Sequence, residues 1–280
     1  MMNVLEGTRA GTLPSAGINH EGAPVAFVTG ASSGTGREIA LTLAAQGYRV
    51  GLGGRRLDAL HETIAMIAET GGVAQAFPFD VTDAQEIAAA MSGFLEWSGG
   101  CVDVLVNAAA IPGPVEVPIG KLPLAEFDAM INTNLRGPFL TMTHLLPLMI
   151  ERGQGRIINI GGNHGMRGRA GRVGYSSSKW GLRGLTRCAA LEAGRSGVTV
   201  NYIAPGPIAV DRMKQGWAER GRRDGVNMST AVARYTAEMG PALGRLNEPK
   251  DVAAMVSFLI GDGGRNITGQ ELVIDGGIIV

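Results

Sequence analysis

The alternation of short apolar runs with helical segments constrains the fold of this chain more than any other feature. The first apolar run, Val25–Thr29, has the continuous hydrophobicity of a strand buried on both faces of a parallel sheet. Further strands are predicted at Tyr48–Leu52, Ala74–Phe79, Val102–Val106, Arg156–Ile160, Thr199–Ile203 and Glu271–Ile274. Helices are predicted between them at Arg37–Gln46, Leu57–Thr70, Asp83–Trp97, Leu124–Arg152, Tyr175–Ala193 and Glu248–Ile260. This rhythm predicts an α/β domain with a doubly wound, mostly parallel, seven-stranded sheet and helices on both faces.

Domain organisation follows from the same pattern. Residues 1–23 lack the apolar core of a signal peptide and are predicted to be a flexible leader before one domain over residues 24–280. Residues 207–247 break the strand–helix rhythm, and we expect this insertion to cap a ligand site. Zero net charge gives no indication of nucleic-acid or membrane binding, and two cysteines are too few for a disulfide framework or a zinc site. A cytoplasmic location is the default expectation, and no metal is predicted.

A glycine-rich turn follows the first predicted strand and opens the first predicted helix. Glycines permit a sharp turn and a close approach to a pyrophosphate, and the helix N-terminus offers free N–H groups to it. The turn reads Thr29-Gly30-Ala31-Ser32-Ser33-Gly34-Thr35-Gly36. Its context between a strand and a helix predicts a dinucleotide site.

The end of the second strand indicates which dinucleotide binds. An acid at this place accepts hydrogen bonds from a free ribose hydroxyl, whereas a cation suits a 2′-phosphate. The sequence here is Gly53-Gly54-Arg55-Arg56, without an acid, so NADP(H) is favoured over NAD(H). The alternative is that both arginines only begin an exposed helix.

Tyr175 and Lys179 stand four residues apart at a predicted helix start, so both project from one face. A tyrosine near its free pKa of about 10 is a poor base at neutral pH. A nearby ammonium group is expected to lower that pKa and to suit the phenol for proton transfer.

These motifs together resemble the short-chain dehydrogenase/reductase family, and its 3-oxoacyl-acyl-carrier-protein reductase-like branch in particular. The TGxxxGxG turn, the YxxxK pair and the tail from PALGRLNEPKDVA to ITGQELVIDGG all match, over roughly residues 23–280. The resemblance implies a Rossmann-type fold and an oxidoreductase of the CH–OH class (EC 1.1.1.-). It implies that Lys179 binds the nicotinamide ribose and that Asn134, in NTNLRGPF, holds a water in a proton relay. Further cofactor contacts are implied for Asp80, Val81, Asn107, Ala108, Ala109, Pro205, Gly206 and Ile208.

Two positions depart from the family pattern. The serine that hydrogen-bonds the substrate oxygen falls on Gly162, and a threonine that contacts the nicotinamide carboxamide falls on Val210. Losing an oxygen-directed donor costs roughly 3–4 kcal/mol in comparable sites. Three explanations stay open for Gly162. Asn163 or His164 replaces the hydroxyl, the substrate or Tyr175 alone suffices, or the protein binds its cofactor without turnover.

The leading hypothesis is an enzyme that transfers hydride between NADP(H) and a small-molecule carbonyl or secondary alcohol. A reductase for an unusual acceptor such as an imine is a related alternative, and a nucleotide-sensing binding protein is the rival. Arginines at 167, 169, 172 and in the insertion form either a positive rim for an anionic substrate or an ordinary solvated surface. The resemblance also implies a homodimer or homotetramer formed through the helices at 124–152 and 175–193 and the apolar C-terminal end.

Overall fold

The structure is a computed structural model that describes residues 22–280, and it contains one seven-stranded sheet. The strands are β1 Val25–Thr29, β2 Arg49–Gly54, β3 Val73–Pro78, β4 Val104–Asn107, β5 Gly155–Ile160, β6 Val198–Pro205 and β7 Glu271–Ile274. Their order is β3-β2-β1-β4-β5-β6-β7, and every neighbouring pair is parallel. The predicted fold class is therefore confirmed, with each strand present within about two residues of its expected bounds.

Helices cover both faces of the sheet. They are α1 Gly34–Ala45, α2 Leu57–Glu69, α3 Ala84–Ser98, α4 Leu124–Ile131, α5 Gly137–Arg152, α6 Val173–Ala193, α7 Asp211–Arg223, α8 Met228–Met239 and α9 Pro249–Ile260. One core lies under α1, α2 and α9, with Leu43, Leu60 and Val256 fully buried in it. The opposite core lies under α3, α5 and α6 and includes the aromatic pair Phe27 and Phe94, whose ring centroids are 4.7 Å apart. These apolar faces are the helical stripes that the sequence pattern indicates.

The strand order reverses direction between β1 and β4, since β1 pairs with β2 on one side and with β4 on the other. In doubly wound sheets, ligands bind outside the carboxyl ends of the strands at this point. The glycine-rich turn after β1 and the segment after β4 therefore meet at one edge, where a cleft of about 770 Å³ opens.

One segment differs from the sequence expectation. The single helix predicted over Leu124–Arg152 is interrupted by a π-helical turn at Asn132–Arg136, which separates α4 from α5. The insertion at 207–247 departs from the strand–helix rhythm, since α7 and α8 follow each other without a strand between them. The predicted leader lies outside the described residues, apart from its last two positions.

Within residues 22–280, no helix has the length and apolarity that a membrane crossing requires. No group of three or more His, Cys, Asp or Glu side chains in the same range is placed to hold a metal ion.

Candidate active site

The nucleotide half of the cleft is built on the turn between β1 and α1. Gly30 has a φ of +71°, a conformation that side chains other than glycine rarely adopt. Ser33 caps α1 without a side-chain hydrogen bond, so the first N–H groups of the helix remain available to an anion. A Cβ on Gly36 would lie 2.3 Å from the Gly30 carbonyl oxygen. The first turn of α1 therefore packs against the backbone of the preceding turn without room for a side chain. The predicted turn residues Gly30, Ser32, Ser33, Gly34, Thr35 and Gly36 all line the cleft.

Both predicted arginines also line the cleft, next to the turn. Arg56 Nη2 donates to Ser32 Oγ at 3.4 Å, and Arg55 Nη1 lies 3.6 Å from the Asp80 carboxylate. Hydrogen bonds from Thr82 and the charge of Arg55 hold the pKa of Asp80 below its usual value, against the opposing effect of burial. The Asp80 carboxylate therefore holds the exposed Arg55 guanidinium at the edge of the cleft.

The segment after β4 forms the opposite wall. The Thr29 hydroxyl accepts hydrogen bonds from the backbone N–H groups of Ala108 and Ala109, at 3.1 and 3.2 Å, and both alanines line the cleft. Asn107, predicted with them as a cofactor contact, does not line it. Its side chain is buried behind the wall, where it bonds to Asn159 and Thr141. Asn107 thus ties β4 to β5 and α5, and it contributes to the site by holding the wall in place.

Tyr175 and Lys179 project into the cleft from the first turns of α6, as predicted. The Lys179 ammonium donates to the Ile160 carbonyl at 2.9 Å and lies 5.7 Å from the centroid of the Tyr175 ring. Burial lowers the pKa of Lys179 to about 7. Burial also raises the pKa of Tyr175, and the charges that oppose this rise are those of Arg172 and Arg212. The Lys179 ammonium contacts a backbone carbonyl, while the charges of Arg172 and Arg212 act on the phenol, and the lowering of the phenol pKa by Lys179 stays a prediction.

Asn134 occupies the π-helical turn and is fully buried. Its Oδ1 accepts from the Ile111 N–H at 2.8 Å, and its Nδ2 donates to the Ile111 carbonyl and to Ser178 Oγ. Asn134 does not line the cleft, so its side chain connects the wall after β4 to α6 rather than facing the site. Single π turns often mark functional sites, and this one sets the position of the helix that carries Tyr175.

Gly162 lies opposite the Tyr175 phenol. Its backbone is extended, a conformation open to any residue, yet a Cβ built on it would lie 2.9 Å from Tyr175 Oη. The phenol therefore occupies the space that a side chain at 162 would enter. Tyr202 of β6 supports this backbone from behind. Its hydroxyl accepts from the Gly162 N–H at 3.1 Å and donates to the Gly162 carbonyl at 3.2 Å.

Tyr202 is a residue that the sequence analysis missed. It is completely buried, and a Cβ on either Gly161 or Gly165 would overlap its ring or hydroxyl. Burial raises the pKa of Tyr202, so the phenol remains a neutral donor. The signal in the sequence is the set of glycines at 161, 162 and 165, which leave room for one large side chain on the neighbouring strand.

Asn163 and His164 were the predicted replacements for the missing hydroxyl, and both line the cleft. Asn163 donates one of its two amide N–H groups to Asp275 at 3.4 Å. The His164 ring packs edge-on against Tyr175 with centroids 6.0 Å apart. Burial, followed by the charges of Arg172, Arg169 and Arg167, lowers the pKa of His164 to about 4, so the ring is neutral at pH 7. Both residues therefore stay candidates for the missing donor.

The helices of the insertion close the far side of the cleft. Met213 and Tyr235 line it, while Trp217 is buried against Tyr235 and Met228 is exposed on the surface. Val210, which replaces the expected threonine, also lines the cleft and would lie 3.1 Å from a Cβ on Gly34. The predicted cofactor contacts Val81, Pro205, Gly206 and Ile208 complete the lining.

Known proteins share the sequence pattern and the fold over most of this chain. Residues 24–221 match the profile of the short chain dehydrogenase family. The chain belongs to this family. It is 34% identical over 259 residues to levodione reductase from Leifsonia aquatica, which covers 90% of this chain and 93% of the relative. It is 35% identical over 260 residues to a 3-oxoacyl-[acyl-carrier-protein] reductase from Synechocystis, covering 92% and 98%.

Solved structures give the same assignment. The actinorhodin polyketide ketoreductase with NADPH superposes with a TM-score of 0.84 at 35% identity, covering 93% of this chain and 98% of that one. The crystal structure of levodione reductase has a TM-score of 0.83 at 32% identity, covering 91% and 96%. As a family member with dehydrogenase and reductase relatives, the chain is an oxidoreductase that acts on the CH–OH and C=O groups of its substrates.

Proposed function

We propose that this protein is an NADP(H)-dependent reductase of a small carbonyl compound, with Tyr175 as the proton donor. The observation that carries the proposal is one continuous cleft of about 770 Å³ that joins the glycine turn to the Tyr175 phenol. The cradle of free helix N–H groups and close glycine backbone fits a dinucleotide. When bound there, the nicotinamide would supply a hydride to the substrate carbon.

The residues of the chain then have separate tasks. Tyr175, a phenol that is protonated at neutral pH, donates its Oη proton to the substrate oxygen. We propose that Lys179, which the Ile160 carbonyl holds in the cleft, contacts the nicotinamide ribose and returns a proton to Tyr175 after the transfer. Asn134 positions α6 through Ile111 and Ser178, and a water relay at the π turn is the further role we propose for it. The α7–α8 insertion would cap the substrate and exclude water.

An assay of the purified protein with NADPH and a panel of ketones, aldehydes, oxo acids and cyclic imines tests this function. We expect NADPH oxidation with at least one carbonyl substrate. Turnover confined to imines would favour the unusual-acceptor alternative. Tight NADPH binding without turnover of any substrate would favour a nucleotide sensor and contradict the proposal.

NADP(H) preference is proposed from Arg55 and Arg56, which line the cleft beside Ser32 and Asp80. Replacing both arginines with alanine is expected to weaken NADPH binding about 10- to 100-fold, since hydrogen bonds to charged groups contribute about 1.5–3 kcal/mol. NADH binding should change less than threefold. Fluorescence titration with each dinucleotide measures both affinities, and an equal loss for the two would contradict a role in recognising the 2′-phosphate.

The role of Gly162 can be tested with two substitutions that differ by one hydroxyl. Gly162→Ala is expected to lower kcat about 10- to 100-fold, because its Cβ displaces the Tyr175 phenol and small misplacements at reacting groups are costly. Gly162→Ser adds the same Cβ and an oxygen-directed donor. We expect its kcat to exceed that of Gly162→Ala at least tenfold. Steady-state kinetics of both variants provide the ratio, and equal rates would show that a hydroxyl at 162 does not reach the substrate oxygen.

A homo-oligomer built through α5, α6 and the C-terminal end is also proposed. Exposed apolar side chains on these elements support it, namely Phe139, Trp180, Leu191, Val273 and Val280. Sedimentation of the purified protein would reveal whether a dimer, a tetramer or a monomer prevails.

A further inference from the structure

Arg172 is a buried cation in the wall of the substrate half of the cleft. It immediately precedes α6, its residue is only 8% exposed, and it lines the cleft together with Tyr175. The guanidinium carbon lies 4.8 Å from the centroid of the Tyr175 ring, so the cation stacks on the proposed proton donor. Any group that Arg172 binds would therefore lie close to the reacting atoms.

The charge of Arg172 is not balanced by the described part of the chain. Residues 22–280 place no carboxylate within ion-pair distance of it. Nη1 donates to the Pro114 carbonyl at 3.0 Å, and the buried Nε has no hydrogen-bond partner. Burial lowers the pKa of Arg172, which reflects the cost of holding this cation away from water. Buried charges are normally paired, so an arginine without a carboxylate indicates that its partner comes from outside these residues.

Neighbouring charges strengthen the positive field. Arg169 and Arg212 also line the cleft, and both are exposed at its mouth. Of the acids that line the cleft, Asp80 pairs with Arg55 in the nucleotide half, and Asp211 is an exposed carboxylate 3.8 Å from Lys214. Burial is the main cause of the low pKa of His164, and the charges of Arg172, Arg169 and Arg167 add to it. An anion entering this half of the cleft would meet three arginines and one exposed acid.

We infer that Arg172 binds the carboxylate of an oxo-acid substrate while the substrate carbonyl faces Tyr175. This inference rests on the proposed reductase function and names its substrate class. A guanidinium presents a planar set of donors that matches the two oxygens of a carboxylate, and a carboxylate brings the single negative charge that one buried cation requires. Arg169 and Arg212 would attract the acid toward the cleft, while Arg172 would orient it.

Pairs of short 2-, 3- and 4-oxo acids with their methyl esters test the inference, because the two members differ in charge but not in the reacting carbonyl. For at least one pair, we expect the wild-type protein to reduce the acid at least tenfold more efficiently than the ester. Arg172→Met removes a charge beside Tyr175 for both substrates but removes a binding partner only for the acid, so kcat/KM should fall at least tenfold more for the acid than for the ester, mainly through KM. Arg172→Lys should retain part of the preference. Arg195→Met, a matched removal of an exposed arginine outside the cleft, should change neither substrate.

Other outcomes separate the possible errors. An equal loss on acid and ester would show that Arg172 only holds the Pro114 segment or positions Tyr175, and it would overturn the inference. Turnover of neutral carbonyls without any preference for acids would overturn it too, while leaving the reductase function intact. If no carbonyl is turned over, the proposed function itself fails. If Arg172→Met does not fold, the test is whether acetate inhibits ester reduction more than chloride does at equal ionic strength. Acetate should inhibit the wild-type protein, and its inhibition constant should be several-fold higher for Arg172→Lys. Equal inhibition constants would contradict carboxylate binding by Arg172.

Discussion

Tyr175→Phe is expected to lower kcat/KM for carbonyl reduction by about 10²- to 10⁴-fold, the range that a positioned general acid contributes. The substitution removes only the Oη–H, which is the proton that the substrate oxygen would receive. The phenylalanine ring keeps the packing against His164 and the stacking of Arg172. Because these contacts persist, we expect NADPH affinity and the thermal midpoint to stay close to their wild-type values.

Single-turnover kinetics with NADPH and the best substrate of the panel measure this loss directly. Tyr48→Phe is the matched control, since it removes the same hydroxyl from a tyrosine outside the cleft, and its rate should equal that of the wild type. If Tyr175→Phe kept more than a tenth of the activity, the proton would have to come from another group. His164 would then be the first candidate, although its low pKa makes it a poor acid at neutral pH.

The sequence allowed the sheet and the nucleotide half of the site to be predicted because both depend on local patterns. β7 has the bounds that its apolar run indicates, and Asp83, predicted to begin the third helix, caps α3 by accepting from the Gln85 and Glu86 N–H groups. The long helix predicted over residues 124–152 was wrong in one respect. Its π turn arises from the contacts of Asn134 with the distant residues Ile111 and Ser178, which periodicity along the helix does not encode.

The catalytic half was less predictable because its properties come from residues far apart in sequence. Tyr175 and Lys179 share a helix face as predicted, but the contact of the ammonium with Ile160 on β5 and the charges of Arg172 and Arg212 near the phenol could not be predicted from that spacing. The burial of Arg172 depends on the Pro114 segment, 58 positions earlier in the chain. Sequence reasoning counted this residue as one member of a positive rim. Only the three-dimensional arrangement distinguishes it from its exposed neighbours.

Gly36→Ala is expected to weaken NADPH binding more than 100-fold and to lower the free energy of unfolding by about 1–3 kcal/mol, the usual cost of overpacking. The added methyl carbon would lie 2.3 Å from the Gly30 carbonyl oxygen and 2.7 Å from its carbon. These are backbone atoms, so relief requires the turn after β1 to move away from α1. That movement would displace the free N–H groups that we propose for the pyrophosphate, which is why binding should suffer more than stability.

Gly93→Ala is the matched control, because it makes the same change inside helix α3, where the added carbon meets Phe77 at an ordinary 3.9 Å. It should raise the free energy of unfolding by about 0.5–1 kcal/mol, as alanine favours a helix interior over glycine. Denaturant unfolding and NADPH titration of both variants separate the two effects. If the Kd of Gly36→Ala for NADPH were within threefold of the wild-type value, α1 would be able to move away from the turn with little loss of binding energy. The close contact between them would then not be what shapes the phosphate cradle, and recognition of the dinucleotide would have to rest on Arg55, Arg56 and the wall at Ala108–Ala109 instead.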